Sequence, residues 1–251
     1  MNFKDKVVLV TGSSRGIGKQ IVYDFAKRGA SVIINYNTSD DDAKLLEKEI
    51  VSLFGVSVMS VCCDVSDEES VKKMVSSVLD KYGKIDILVN NAGICNDTLY
   101  DEKSYDSFER VLGVNLIGTY LVSKYVCSDM LLRKSGKVIN IGSDNGLMNG
   151  YPESAEYDAS KAGVISLTHN MAKFYAPYIN VNCVCPGWVD TDMNFMLDES
   201  QINNINSSIM LGRFGTVSEI SNVVVFLASD YASYVNDSVI CVNGGVLWKM
   251  I

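Results

Sequence analysis

Short apolar runs rich in β-branched residues alternate along this chain with longer segments in which apolar residues recur every three to four positions. The first kind reads as buried strands, the second as helices that bury one face. Strands are expected near 6–11, 31–36, 57–62, 85–90, 136–142, 179–185 and 238–242. Helices are expected near 16–28, 40–54, 67–82, 105–133, 155–176 and 216–229. Ser66 followed by Glu69 reads as a capping box opening the third helix. Strand and helix in strict alternation imply an α/β fold: a Rossmann-type, doubly wound parallel sheet of about seven strands with helices on both faces. No linker breaks the pattern, so residues 1–251 read as a single domain. In such sheets ligands bind beyond the C-terminal ends of the strands. Thr11, Asp64, Asn91, Ser143 and Pro186 all fall at or just after expected strand ends.

Composition narrows the classes. A chain of 251 residues that is 47% hydrophobic can bury one good-sized core, and a net charge of −8 without a basic block argues against nucleic acid and anionic membranes as partners. No apolar run reaches about 18 residues, so no membrane span is expected. The first residues enter a strand directly, without a signal-type apolar core, which makes the cytoplasm the default location. Seven cysteines without a Cys-x-x-Cys read as buried, reduced thiols. One histidine, His169, without clustered cysteines makes a metal site improbable; none is expected.

The first strand runs into Gly12-Ser13-Ser14-Arg15-Gly16-Ile17-Gly18 and then a helical pattern. Strand, glycine turn, helix is the context of a dinucleotide-binding element. Gly12 permits the turn, Gly16 a close approach of backbone to phosphate, and Gly18 tight helix–strand packing. Tyr157 and Lys161 lie four apart, on one helical face, where an ammonium would lower the phenol pKa toward working pH. Ser143 can hydrogen-bond the same substrate oxygen. Alone, Tyr-x-x-x-Lys is a weak signal that reads first as an exposed helical face.

Taken together, these elements resemble the short-chain dehydrogenase/reductase family nearly end to end. Thr11 to Gly18 is similar to its Thr-Gly-x-x-x-Gly-x-Gly element, Asp64-Val65 to its adenine site, and Asn90-Asn91-Ala92-Gly93 to its Asn-Asn-Ala-Gly element. Asn115, Ser143, Tyr157 and Lys161 match its catalytic tetrad, and Pro186-Gly187-Trp188-Val189-Asp190-Thr191 the segment around the nicotinamide. The resemblance implies reversible reduction of a ketone to a secondary alcohol. In it Tyr157 is the proton donor and Ser143 polarises the oxygen. Lys161 tunes the phenol and holds the nicotinamide ribose, and Asn115 bends its helix and carries a water relay. Cofactor contacts are expected from Gly12, Ser13, Ser14, Arg15, Gly16, Ile17, Gly18, Asn37, Asp64, Val65, Asn91, Ala92, Gly93, Tyr157, Lys161, Pro186, Gly187, Val189 and Thr191. Asp64 is alternatively a helix cap, and Asn115 a core amide that caps a backbone carbonyl.

The second strand ends at Tyr36, where the acidic residue that grips a free ribose 2′-OH would stand. Arg15, with Asn37, Thr38 and Ser39, suits a 2′-phosphate, so NADP(H) is favoured, with NAD(H) the alternative. Asp40, Asp41 and Asp42 would repel a phosphate they faced, but read as the acidic first turn of the next helix.

Within the family the nearest likeness is to the 3-oxoacyl-(acyl carrier protein) reductases, through Gly93-Ile94-Cys95-Asn96-Asp97-Thr98-Leu99. The substrate is then a small carbonyl or alcohol compound, with a carrier-bound acyl chain as one form. Arg133 and Lys134 match a basic site on the carrier-docking face. Asn96, Ala176-Pro177-Tyr178, Asp237 and Asn243 depart from the pattern. Hydroxysteroid, polyol and other secondary-alcohol dehydrogenases of the same family are the alternative, and a non-catalytic nucleotide-binding protein the remote one. A substrate lid is expected near 192–212, where Met193, Phe195, Met196, Leu197, Ile209 and Met210 either line the pocket or pack the lid to the body. The resemblance also implies a homotetramer. Helices 105–133 and 155–176 would form one interface, and the C-terminal strand with Trp248 would lie near another.

Overall fold

A computed structural model describes residues 1–147, 150–191 and 198–246. Seven parallel strands form one sheet: β1 (Val7–Val10), β2 (Ser31–Tyr36), β3 (Val58–Cys62), β4 (Ile87–Asn90), β5 (Gly136–Ile141), β6 (Ile179–Pro186) and β7 (Val239–Val242). Their order is β3-β2-β1-β4-β5-β6-β7. The chain starts at the centre, winds outward, returns, and winds the other way. The reversal between β1 and β4 opens a crevice at the strand C-termini.

Residues adjacent in a strand face opposite sides, and both sides are covered. Val8, Val10, Val32 and Ile34 pack with Ile21, Phe25, Leu46 and Val224 of α1 (Gly16–Ala26), α2 (Asp40–Phe54) and α8 (Val217–Ala228). Val7, Leu9, Ile33 and Leu88 pack with Met74, Val122, Met130 and Met171 of α3 (Glu68–Tyr82), α5 (Gly118–Arg133) and α6 (Ala155–Tyr175). Strands buried on both faces explain the unbroken apolar runs of the sequence.

Three expectations are corrected and one is refined. The third helix is capped by Asp67, whose carboxylate accepts from the Ser70 N–H, while Ser66 donates to Asp64 at 2.6 Å. The cap that forms is therefore Asp-x-x-Ser, one residue later than Ser66/Glu69. The helix expected over 105–133 forms at those bounds, as α4 (Tyr105–Leu112), a π-helical turn at Gly113–Ile117 and α5 in unbroken succession. The lid region contains an unforeseen helix, α7 (Glu199–Ser207), opened by a capping box of Asp198 and Gln201. Its low apolar content hid it. All seven cysteines are free, but Cys62 and Cys241 are exposed and Cys95 is half-buried.

Tyr105–Arg133 is long and apolar enough, by length and composition, to cross a membrane, with a mean hydropathy of 1.2 over its best window. No unbroken apolar run signals this, because charges interrupt it. More than half of that window is buried against the rest of the fold, as in a core helix of an α/β protein.

Candidate active site

The crevice floor is made of backbone held by buried amides. Thr11 Oγ1 accepts from the N–H groups of Asn91 at 2.9 Å and Ala92 at 3.0 Å, locking β1 to the end of β4. The Asn91 side chain donates to the carbonyls of Thr11 at 3.0 Å and Gly12 at 2.9 Å. Gly12 has φ +59°, and a Cβ there would meet the Ala92 Cα at 2.8 Å; one at Gly18 would meet the Gly12 carbonyl oxygen at 2.6 Å. Neither position accepts a side chain. Gly16 opens instead toward Thr191. Ser13 and Ser14 are buried, Ile17 packs against the core, and Arg15 projects into solvent at the N-cap of α1.

Asn35 was not singled out from the sequence. Its carbonyl oxygen accepts from the Gly12 N–H at 3.1 Å and its NH2 donates to the Cys63 carbonyl at 3.1 Å, so it ties the glycine turn to β2 and the end of β3. An asparagine inside the apolar run Val32-Ile33-Ile34 was the available signal, because a buried amide must find partners.

Asp64 accepts from the Ser66 N–H at 2.9 Å and pairs with Arg110 of α4 at 3.0 Å, and Asn37 donates to it at 3.3 Å. Burial raises its pKa, but the Ser66 and Arg110 contacts outweigh that and hold it below the usual carboxylate range. Val65 is buried behind it, against Gly118. At the end of β2 the Tyr36 hydroxyl donates to Asp40, which pairs with Lys44. Asp40, Asp41 and Asp42 do form the acidic first turn of α2, as read from the sequence.

The candidate catalytic groups converge where β4 and β5 end. Lys161 Nζ lies 5.5 Å from the centroid of the Tyr157 ring and donates to the Ile141 carbonyl at 2.8 Å. Both Lys161 Nζ and Asn115 Oδ1 lie 3.5 Å from the Cβ that Gly93 lacks. Ser143 stands just past β5, is buried, and hydrogen-bonds Tyr157. Asn115 sits in the π-helical turn, accepting from the Ile94 N–H and donating to the Ile94 carbonyl and Ser160 Oγ, each at 2.9 Å. Its own carbonyl accepts from Thr119 Oγ1 at 2.8 Å. The side chain therefore clamps a backbone carbonyl, one of its two sequence readings.

The electrostatics differ from the expectation that Lys161 depresses Tyr157. Burial raises the Tyr157 phenol well above its ordinary value, against a smaller lowering by the Ser143 hydrogen bond. Burial pushes Lys161 down to about 8. The ammonium is directed at the Ile141 carbonyl, so in the protein alone desolvation wins over the pair's mutual field.

Pro186 ends β6, and Gly187 packs so closely on Asn243 and Asp144 that a Cβ would meet Asn243 Cβ at 2.6 Å. Asn243 donates to the buried Asp144 carboxylate at 3.3 Å. An aspartate at 243 would set a half-buried carboxylate against the buried one of Asp144. Val189 bridges to Gly215, and Trp188 stacks on Phe214 with ring centroids 5.8 Å apart. In the lid, Ile209 is buried and bridges Val246, and the Met210 N–H donates to the Gly245 carbonyl. These two bind the lid to the C-terminal segment, which is the packing alternative. Met193, Phe195, Met196, Leu197 and Trp248 lie outside the described residues.

A family model described as enoyl-(acyl carrier protein) reductase matches residues 12–247. The 3-oxoacyl-(acyl carrier protein) reductase FabG of Aquifex aeolicus is 41% identical over 247 residues, covering 98% of this chain and 99% of that one. The enzyme of the same description from Thermotoga maritima is 40% identical, covering 98% and 100%. The crystal structure of levodione reductase superposes with a TM-score of 0.90 at 31% identity, covering 97% of this chain and 98% of that one.

Proposed function

The chain belongs to the short-chain dehydrogenase/reductase family, an oxidoreductase that interconverts ketones and secondary alcohols with a nicotinamide cofactor; from that premise we propose that it is an NADP(H)-dependent 3-oxoacyl thioester reductase in which Asn115, Ser143, Tyr157 and Lys161 form the catalytic group. The observation that carries the site assignment is the convergence of Ser143, Tyr157 and Lys161 beside Gly93, at the strand ends where the glycine turn opens.

The cradle suits a dinucleotide. Gly12 and Gly18 leave no room for side chains, Asn35 and Asn91 fix the turn, and the first N–H groups of α1 lie at its end. Among the described residues Arg15 forms no ion pair, whereas Asp40 is engaged by Tyr36 and Lys44. A free guanidinium at the turn favours a 2′-phosphate. Gly12 to Gly18, Asn37, Asp64, Val65, Asn91, Ala92, Gly93, Pro186, Gly187, Val189 and Thr191 would line the bound cofactor.

A bound nicotinamide cofactor would supply the hydride. Tyr157 stays protonated across the working range and gives its proton to the ketone oxygen, which Ser143 holds by a hydrogen bond. Lys161, pushed down to about 8, passes a proton back to the phenolate with little driving force against it. Asn115 holds Ile94 and so the wall beside Gly93, with the relay to Lys161 as its second role. A phenol raised by burial favours reduction; oxidation needs the phenolate and should demand higher pH.

Two observations favour a second reading, a free cyclic ketone. Arg133 is occupied by Asp129 at 2.8 Å, by Asp86 and by the Ile85 carbonyl, which leaves Lys134 as the basic group of the carrier-docking pair. Trp188 and Phe214 form an aromatic pair on the segment that follows β6, next to Gly187 and Val189. The test is NADPH and NADH oxidation with acetoacetyl thioesters, free and carrier-bound, beside cyclic diketones, steroids and polyol ketones. Turnover of the thioesters supports the first reading and turnover of the rings the second. Cofactor binding without any turnover would overturn both.

We also propose a homotetramer, supported by exposed Tyr105, Ile117, Tyr120 and Phe174 on the expected interface helices; light scattering tests it. Seven unpaired cysteines suit a reducing cytoplasm.

A further inference from the structure

Beside the candidate site lies a buried ion pair that the mechanism does not use. Glu156 immediately precedes Tyr157 in α6, and its side chain is 0% exposed; that of Lys103 is 5% exposed. Lys103 Nζ sits 2.6 Å from Glu156 Oε2 and donates to the carbonyls of Glu153 at 2.8 Å and Asn96 at 3.0 Å, with Thr98 Oγ1 at 3.4 Å. Four oxygens from two segments thus surround an ammonium that has three protons to give. Ser107 of α4 donates to Glu156 Oε1 at 3.5 Å and accepts from the Asn96 NH2 at 2.7 Å. A backbone bond from the Thr98 N–H to the Glu153 carbonyl, at 3.2 Å, runs alongside.

The two segments are those that must be held in register around a substrate. Residues 94–104 form the wall after β4, and their near end is already clamped by Asn115 on Ile94. Lys103 clamps the far end, and does so on the turn that leads into Tyr157. A buried pair of this kind is poor value as stability alone, because desolvating two charges offsets most of their attraction. What it supplies is direction: the ammonium accepts only a geometry that brings Asn96, Thr98, Glu153 and Glu156 together.

From this arrangement we infer that Lys103 and Glu156 are positioning residues, which fix the 94–104 wall against the N-terminus of α6 and so set where the Tyr157 hydroxyl meets the substrate. The inference rests on the reading of Tyr157 as proton donor. A displacement of about an ångström at the reacting atoms is costly in rate, so the effect should appear in turnover and not only in folding.

The experiment compares the wild-type chain with K103M, E156Q and the double variant K103M/E156L, which removes both charges together and keeps the site apolar if the single changes unfold. Turnover with the best ketone from the substrate panel, KM for that ketone, Kd for NADPH by titration, and hydrogen exchange of the peptides spanning 94–104 and 151–158 are measured. The double variant is expected to bind NADPH within about twofold of wild type, to lose at least about tenfold in kcat with a raised KM, and to exchange faster in both peptides. Wild-type kcat and KM in a folded double variant, whatever its Tm, would overturn the inference, as would unchanged exchange in the two peptides. Y157F is run in parallel. If Y157F turns over normally, the reading of Tyr157 fails; the exchange data still decide whether the pair holds the wall.

Discussion

The two ends of the crevice are built differently. At the proposed cofactor end, shape is set by backbone: Gly12 and Gly18 exclude a Cβ, and Thr11, Asn35 and Asn91 direct their polar atoms to main-chain groups. At the proposed substrate end, shape is set by side chains from distant segments: Ser143 with Tyr157, Lys161 on Ile141, and Asn115 on Ile94. The first kind of site tolerates almost no added atom. The second fails first when a functional group is removed, and admits an added atom only where the chain faces open space, as at Gly150, and not at Gly146, where a Cβ would meet the Lys161 backbone at 2.6 Å. Mutations that add or delete single groups should therefore separate the two ends.

The largest effect is expected from deletion at the substrate end. Tyr157→Phe removes the proposed proton donor and little volume, so kcat should fall by about a thousandfold or more, while NADPH affinity stays within a few-fold. Steady-state rates and a binding titration check this. Retained turnover would remove Tyr157 from the chemistry and break the comparison at that end.

Addition at the cofactor end comes next. Gly18→Ala would press a methyl group onto the Gly12 carbonyl and the Asn91 amide, so NADPH affinity should drop by about a hundredfold, with Tm lowered too. Gly150→Ala, on the exposed stretch before α6, meets nothing within 4 Å and should leave Tm and affinity unchanged. Equal effects of the two would erase the contrast.

How much of this was legible in the sequence follows the same division. The seven strands and the helices flanking them were readable because burial on both faces of a parallel sheet writes itself as unbroken apolar runs. The glycine turn was readable because a position closed to Cβ leaves one residue type. Asn115, Ser143, Tyr157 and Lys161 could be named, but not their electrostatics: burial raises the Tyr157 phenol, and no spacing rule reports burial. The π-helical turn at Gly113–Ile117 left no periodic trace, because one extra residue per turn hardly disturbs an apolar stripe. The Lys103–Glu156 pair was illegible, since 53 residues separate two charges that look like ordinary helix-surface residues.

The electrostatics of the substrate end can be read from stability. With Lys161 near 8 in the folded chain and at its ordinary 10.5 when unfolded, both states are protonated below pH 8, and the full penalty of burying the ammonium applies. Between pH 8 and 10.5 only the unfolded chain keeps the proton, so stability should rise with pH through that window. The gain is on the order of 3 kcal/mol across the whole interval. Lys161→Met lacks it. The Tm of wild type minus that of the variant, taken without cofactor from pH 7 to 9.5, should rise with pH. A difference independent of pH would mean that Lys161 stays charged and that the field between it and Tyr157 outweighs desolvation.

The smallest effect belongs to Arg15, at the edge of the cofactor end. Its guanidinium projects from the glycine turn and forms no ion pair among the described residues, so removing it costs the fold nothing that the structure shows. A charge-assisted hydrogen bond to a 2′-phosphate is worth about 1.5–3 kcal/mol, reduced by exposure and salt. Arg15→Ala should therefore weaken NADPH by about tenfold and leave NADH unchanged, and the loss should shrink at high salt. If NADH weakens equally, Arg15 acts on the shared pyrophosphate, and discrimination must come from Asn37 and the end of β2. If neither changes, the exposed charge is outside the cofactor's reach. The backbone alone would then define that end of the crevice, and the contrast with the side-chain-built substrate end would be sharper still.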